Sequence, residues 1–499
     1  MKRGRLSRTT AARRPGWLLL LVVVAALAAV SAGCGGGDEE EEAAPPVDTV
    51  AAADTSAGAA GGAETGATGS ECPFEGGVIR AFTTIDTAGT TGDLGLGTAR
   101  AADLSVELIN AEGGILGCEF VIDVVDEGFP DVDICLRAYR EAIGQGDKYA
   151  FFFGPTGSGC MASVTALTTA AGKALLANQA ADHQPFFNPK FEKYNFHAAV
   201  STFLEGRASA KFAADKGWKR AAILAPNYAY GQDAAKAFKE YFTTIVDGGE
   251  IVEEQFPEFD EKNFTPFINA VVGQEPDGIF SAFFAGFVIP FWQQWKDGAH
   301  DDIPAIGGLI DTPGWELVKS ADQIPKNSYA YDRGAWQLMK ETPTGKQFYD
   351  AYVAKHGASE HPEPLSWGFA FWSGVRMAKA LIEQTQSVAP DDWVAAVEAG
   401  TFTFDGPYHV GPTPVSPVNH MADNCAQIGL ITYDESLSVP AAYDLGDFTN
   451  YCMHDILETD EARQITTNDD VSEDAIAAYE QAVEAVKEAD AAVENLVAP

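Results

Sequence analysis

YAFFFGPTGSGCMAS, residues 149–163, is the stretch whose reading decides the fold. Its first five residues read as a buried strand. A Gly-Pro turn follows, and small hydroxyl-bearing residues then open a helix that runs on through VTALTTAAG. A tight turn at the carboxyl end of a strand leaves the next helix's first amide N–H groups without partners. Gly154, Gly157 and Gly159 carry no side chain to block close approach, and Ser158 adds a hydroxyl where the helix begins. Two readings are open: a seat for a carboxylate or other polar ligand group, or an ordinary turn capped by Ser158. Local sequence alone favours the second, so the flanking chain must decide.

The flanking pattern alternates strands and helices. Upstream, 78–84 (VIRAFTT) and 120–125 (FVIDVV) read as strands, with helices over 94–111 and 132–143; downstream, 174–178 (ALLAN) is a fourth short strand. Strands of continuous apolar character joined by helices imply a parallel sheet with helices on both faces. A second run of the same kind follows, with strands at 221–226, 251–256, 278–284 and 303–307 and helices at 203–216, 232–245, 264–272 and 287–295. The first unit is unfinished at 199, and helices reappear at 344–356, 365–384 and 391–398 after a return crossing at 329–336. The fold class is therefore α/β: two Rossmann-like lobes with parallel sheets flanked by helices, joined by hinge strands.

Outside this pattern the chain changes character. Lys2, Arg3, Arg5, Arg8, Arg13 and Arg14 precede an apolar run and then Ser-Ala-Gly-Cys34, which reads as an export signal over 1–33. The Ala-Gly-Cys ending resembles a bacterial lipobox, with Ser31 departing from its usual Leu, Val or Ile. It implies that Cys34 is lipidated and tethers the chain to the membrane; ordinary cleavage nearby, or an uncleaved anchor, is the alternative. Residues 34–71 are low-complexity and lack aromatic residues, so they cannot bury enough surface to fold. The segment 453–499 is an acidic, Ala/Glu-rich tail, expected to form a peripheral helix with few anchoring residues over 476–497.

Charge and cysteine content exclude some functions. Removing the six basic residues of the signal takes the formal charge from −39 to −45, which argues against nucleic acid as a partner. Beyond Cys34 there are six cysteines, an even number suited to an oxidising compartment. Cys72 and Cys118 each precede neighbouring strands, Cys135 and Cys160 lie on successive helices, and Cys425 and Cys452 face each other across a hairpin. The expected bonds are Cys72–Cys118, Cys135–Cys160 and Cys425–Cys452. No C-x-x-C or spaced Cys/His set suggests a metal. Nor is there a G-x-S-x-G, a P-loop or a complete dinucleotide turn, so no cofactor is implied and nothing positive supports an enzyme.

The run TTIDTAGTTGDLGLGTARAADLSVELINAEGGILGCEFVIDVVDEGFPD resembles the opening of type 1 periplasmic solute-binding proteins, in the leucine/isoleucine/valine- and amide-binding branch. FFFGPTGSG, LLANQAAD and AAILAPNYAYGQDAAKAFKE are similar to later landmarks of that family, in the right order. The resemblance covers about 77–433. It implies a first lobe of 72–199 plus 334–424 and a second of 200–333 plus 425–452, closing on a small solute that is then delivered to an ABC transporter permease. The solute would be an amino acid, an amide or another small organic molecule. A ligand-sensing module for a membrane receptor is the alternative, and a secreted enzyme a more distant one.

The resemblance also implies site residues. Ser158 and Gly157 match the turn that holds a ligand carboxylate, and Ala180 matches a backbone position for the same group. Asp182 falls where a Thr is usual and would repel a carboxylate, unless it is turned away or the ligand is cationic or neutral there. Leu94 stands where an aromatic residue often meets the cleft. Tyr230 matches the second-lobe Tyr-Gly turn, Phe284 follows Phe283 at a strand tip, and Asp311 is the candidate partner for a ligand ammonium. The aromatic runs at 283–295 and 367–372 add an expectation of a solute with substantial apolar surface, although 367–372 reads more readily as a helix core stripe.

Overall fold

Strands buried on both faces tend to be apolar throughout, and two short strands of this chain show it: β3 (Phe151–Phe153) and β4 (Leu175–Ala177) contain no polar residue. In the computed structural model they join β1 (Val78–Ile85), β2 (Glu119–Asp126) and β5 (Asn195–His197) in a parallel sheet of order β2-β1-β3-β4-β5. The structure describes residues 72–497 apart from 90, 179–185, 188–189, 285–286, 301, 310–323, 325, 335, 358–363, 434–442, 459–460, 462–467 and 469–470. These residues all belong to one contact unit, Ala67–Pro499. Strand β5 is absent from the sequence reading, because Asn-Phe-His is too short and too polar to announce itself. Helices α1 (Gly92–Ala111), α2 (Val132–Ile143) and α3 (Ser158–Ala170) connect the strands.

The chain then builds a second sheet. Strands β6 (Arg220–Leu224), β7 (Glu250–Gln255), β8 (Gly278–Phe280), β9 (Ala305–Leu309) and β10 (Ser328–Asp332) are parallel, in the order β10-β9-β8-β6-β7. Helices α4 (Thr202–Asp215) and α5 (Ala229–Ile245) pack so closely that a Cβ on Gly206 would stand 2.5 Å from the Ala234 carbonyl oxygen. Helices α6 (Thr265–Val272) and α7 (Val288–Asp297) complete this run. An antiparallel hairpin, β13 (Cys425–Tyr433) and β14 (Tyr443–Cys452), extends the sheet beyond β10.

Between β10 and β13 the chain returns to the first sheet through α8 (Trp336–Met339), α9 (Pro343–His356), α10 (Ser366–Thr385) and α11 (Pro390–Glu398). Phe371 and Trp393 pack on Phe153 and Phe151, with ring centroids 5.3 and 5.4 Å apart. A small pair, β11 (Thr403–Phe404) and β12 (Thr413–Pro414), follows. His197 at the end of β5 bonds to both His420 and Ala422, which lead into β13. The chain thus passes between the sheets after β5, after β10 and before β13.

The three disulfides are Cys72–Cys118, Cys135–Cys160 and Cys425–Cys452, the pairs that the sequence suggests. Cys425 and Cys452 are direct register partners across the hairpin. After β14 come α12 (Met453–Ile456) and α13 (Glu473–Val497). Helix α13 is better anchored than expected. Ala475, Ile476, Tyr479, Val483 and Val486 form a buried stripe at helical spacing. Asp490 accepts from the Val410 amide at 2.8 Å and lies 2.7 Å from His409 Nδ1.

His409 is fully buried, which works against its charged form, but Asp490 and Asp423 outweigh burial and hold its pKa above the ordinary imidazole value. A group raised in the folded state stabilises below its unfolded pKa, and that contribution is lost as pH rises through the folded one. Asp490→Ala is therefore expected to lower stability by about 1–3 kcal/mol at pH 6 and by less at pH 8. Urea denaturation of both chains at the two pH values checks this; an equal loss at both removes the histidine from the account.

Candidate functional site

In an open α/β sheet, ligands bind beyond the carboxyl ends of the strands where the strand order reverses. In the first sheet that point lies between β1 and β3, and the turn after β3 is Gly154–Ser158. In the second it lies between β6 and β8, followed by the segments leading to Tyr228 and Phe284. Both reversals face one cavity, lined by Thr156, Ser158, Tyr228, Tyr230, Phe284, Arg333 and Trp367. The space left between them is about 10 Å³, which is room for about one water.

The turn after β3 does hold a carboxylate, but the carboxylate is the chain's own. Thr156 and Gly157 donate their amides to Glu127, at 2.6 and 2.8 Å, and the Thr84 hydroxyl donates to it at 3.2 Å. Glu127 follows β2 and is 1% exposed. Burial pushes its pKa up to about 7 against these three donors, with the nearby Asp86 adding to the rise. Gly157 must be glycine here, because a Cβ would stand 2.8 Å from both the Glu127 carboxylate and the Phe129 ring. Gly157 is also the N-cap of α3, so Ser158 is its first helical residue and not a cap. The expected cap by Ser158 is therefore not formed. The amides of Ser158 and Gly159, in the first turn, have no intrahelical acceptor by position.

Opposite the turn stand aromatic rings and a buried ion pair. Tyr228 is the N-cap of α5, Tyr230 lies in its first turn, and Phe284 packs on both, at 5.9 and 5.3 Å between centroids. Gly231 permits this arrangement, since a Cβ would stand 2.2 Å from the Pro226 carbonyl oxygen. The Tyr230 hydroxyl is hydrogen-bonded to that of Tyr331. Arg333, just after β10, pairs with Glu205 on α4, and both are buried. Burial disfavours the charged guanidinium, but Glu205 reverses the effect and keeps its pKa raised. The guanidinium carbon lies 5.4 Å from the ring centre of Tyr230 and 5.6 Å from that of Trp367. At the edge of the cavity Phe129, from the first sheet's side, meets Tyr228 and Phe259 edge-on, at 6.0 and 5.3 Å.

Among the expected site residues, Ser158, Tyr230 and Phe284 meet at the cavity. The Gly157 amide is engaged by Glu127. Leu94 is corrected: it is fully buried in the hydrophobic core and does not line the cavity, because the first turn of α1 lays it against the sheet. Phe283 and Phe284 divide, as adjacent residues on an extended strand end must. Phe283 packs on Phe264 and Phe291 in the second core, and Phe284 faces the tyrosines. Ala180, Asp182, Asp311 and Cys34 lie outside the described residues. Arg333, Glu205 and Glu127 escape the sequence reading, since single charged residues flanking strands carry no periodicity. Tyr228 belongs to the same Tyr-Ala-Tyr-Gly run as Tyr230, and Trp367 opens the aromatic run read as a core stripe.

A family profile described as periplasmic binding protein matches residues 82–434. No curated protein matches the chain in sequence. Solved structures are similar in fold. One is a solute-binding protein of an ABC transporter from Rhodopseudomonas palustris, in complex with p-hydroxybenzoic acid. It is 18% identical, with 75% of this chain and 97% of that one covered and a TM-score of 0.63. Another is an ABC transporter substrate-binding protein from Sphaerobacter thermophilus, 19% identical, with 76% and 99% covered and a TM-score of 0.63. A third is the branched-chain amino acid transporter substrate-binding protein LivJ from Streptococcus pneumoniae in complex with isoleucine, at 20% identity, 75% and 99% coverage and a TM-score of 0.59.

The buried carboxyl of Glu127 generates a pH prediction. The folded chain keeps this proton up to about pH 7, whereas the ordinary value is 4.5, so between those values the folded state binds more protons than the unfolded one. Stability attributable to Glu127 therefore falls as pH rises through that window, by up to about 3 kcal/mol. Glu127→Gln is expected to flatten the decline. Denaturant titrations at pH 5 and pH 7.5 check it, and an unchanged slope in the variant refutes it.

Proposed function

The chain belongs to the periplasmic binding protein family, and we propose that it captures a small organic acid with an apolar body and delivers it to the permease of an ABC importer. Solute binding outside the cytoplasm is the family's role. One observation carries the choice of solute: polar donors and aromatic rings from both sheets converge on a single cavity. Ser158 and the first amides of α3 offer hydrogen bonds to a carboxylate at a helix N-terminus. Tyr228, Tyr230 and Phe284 offer flat apolar faces to the rest of the molecule. Aromatic and branched-chain acids in relatives of the same fold support the same class.

Two lobes, 72–199 plus 334–424 and 200–333 plus 425–452, part to admit the solute and close on it. A cavity of about 10 Å³ cannot take an organic acid as it stands, so entry requires opening. Contacts made to both lobes then favour the closed form by their differential affinity. Cys34 is the lipid-bearing residue that keeps the chain at the membrane beside its permease.

Calorimetric titration with benzoate, 4-hydroxybenzoate and isoleucine tests the reading. At least one is expected to bind, and Ser158→Ala to weaken it by roughly tenfold or more, the loss of one hydrogen bond to a charged group. Binding of none of them, together with no acid co-purifying in native mass spectrometry, rejects the solute class.

A further inference from the structure

Helix α10 carries two tryptophans, and their indole N–H groups are treated differently. Trp372 donates to the Thr344 carbonyl oxygen at 3.2 Å, and on the next helix Trp393 donates to Ser387 at 2.9 Å. Trp367 is only 4% exposed, yet its N–H has no acceptor among the described residues. A buried donor left unpaired costs free energy, so native proteins rarely leave one without a reason. Trp292 and Trp295 also lack acceptors, but both pack in the second hydrophobic core. Trp367 differs from them in lining the cavity beside Ser158 and Arg333.

We propose that Trp367 is a solute-binding residue whose indole N–H donates to an oxygen of the bound organic acid. The assignment rests on the organic-acid reading above and adds a donor to it. Two groups would then orient the solute, the Ser158 hydroxyl on the first-sheet turn and the Trp367 indole on α10, while Arg333 stays paired with Glu205. The indole cannot accept a hydrogen bond, so it selects for an acceptor at its position and against a donor. A solute presenting a C–H or N–H there would leave the Trp367 N–H buried and unpaired, as it is now. Discrimination of this kind is strong, because the penalty falls on the protein's own group.

The test uses the full chain, the same three probes and two variants. Trp367→Phe keeps an aromatic ring and deletes the donor; Trp372→Phe deletes a donor that serves only the helix packing. Trp367→Phe is expected to weaken the best-bound probe by roughly tenfold or more, while Trp372→Phe lowers the melting temperature and leaves affinity within about twofold. In ¹⁵N-tryptophan-labelled wild type, the Trp367 indole proton is expected to move downfield when that probe saturates the site. This measurement holds even if a variant folds poorly. Wild-type affinity retained in Trp367→Phe, or an indole resonance unmoved at saturation, overturns the assignment alone. A wild type that binds none of the probes overturns the organic-acid reading, and this assignment with it.

Discussion

The Arg333–Glu205 ion pair is the constraint on which the arrangement of the cavity depends. Both side chains are buried, and two charges withdrawn from water persist only if each has the other. Arg333 follows β10 at the point where the chain leaves the second sheet. Glu205 lies in the first turn of α4, just after the chain has left the first. The pair therefore joins two of the three passages between the sheets. Removing one partner would strand the other charge, a loss on the order of 3–5 kcal/mol. The first turn of α4 is also a favourable place for a carboxylate, since the helix dipole is positive there. Seated this way, the guanidinium is held against the rings of Tyr230 and Trp367.

A second internal carboxylate completes the electrostatics. Glu127 takes the amides of Thr156 and Gly157, as Glu205 takes Arg333. Donors on both sides of the cavity are thus already matched to carboxyl groups of the chain itself. The cavity is not a pool of unbalanced positive charge waiting for an anion. A solute must be recognised by the donors left over: the hydroxyl of Ser158, the first-turn amides of α3 and the indole of Trp367. Discrimination then follows from geometry and from unpaired groups more than from long-range attraction, as suits a chain with a formal charge of −39 that would repel a distant anion.

Much of this was legible in the sequence because sheets announce themselves by composition. Apolar runs such as Phe151–Phe153 separated by amphipathic helices identify a parallel sheet, and the places of six cysteines on neighbouring elements point to the bonded pairs. The turn with Ser158 and the Tyr-Ala-Tyr-Gly run were found because each sits at the end of a recognisable strand. What sequence patterns do not carry is the pairing of distant single residues. Glu205 and Arg333 are 128 positions apart, and nothing local marks either as the partner of the other. Leu94 shows the converse error: a family position was carried over, but the residue there is a leucine and joins the core. The buried stripe of α13 was hidden by its acidic composition, although its spacing is plainly helical.

Closure of the cavity also follows from side chains on both sides. Phe129, next to the Glu127 that holds the turn, meets Tyr228 and Phe259 edge-on, and those two rings meet each other at 5.2 Å. Such ring pairs contribute about 0.5–1.5 kcal/mol each beyond the area they bury. These rings join the segment after β2 to segments of the second sheet with no solute between them. A Cβ on Gly157 would come within 2.8 Å of the same Phe129 ring, so the turn and the ring are mutually fitted. A bulkier residue at 157 would push on Glu127 and Phe129 together, disturbing the seat of the turn and the seam of the cleft in one step.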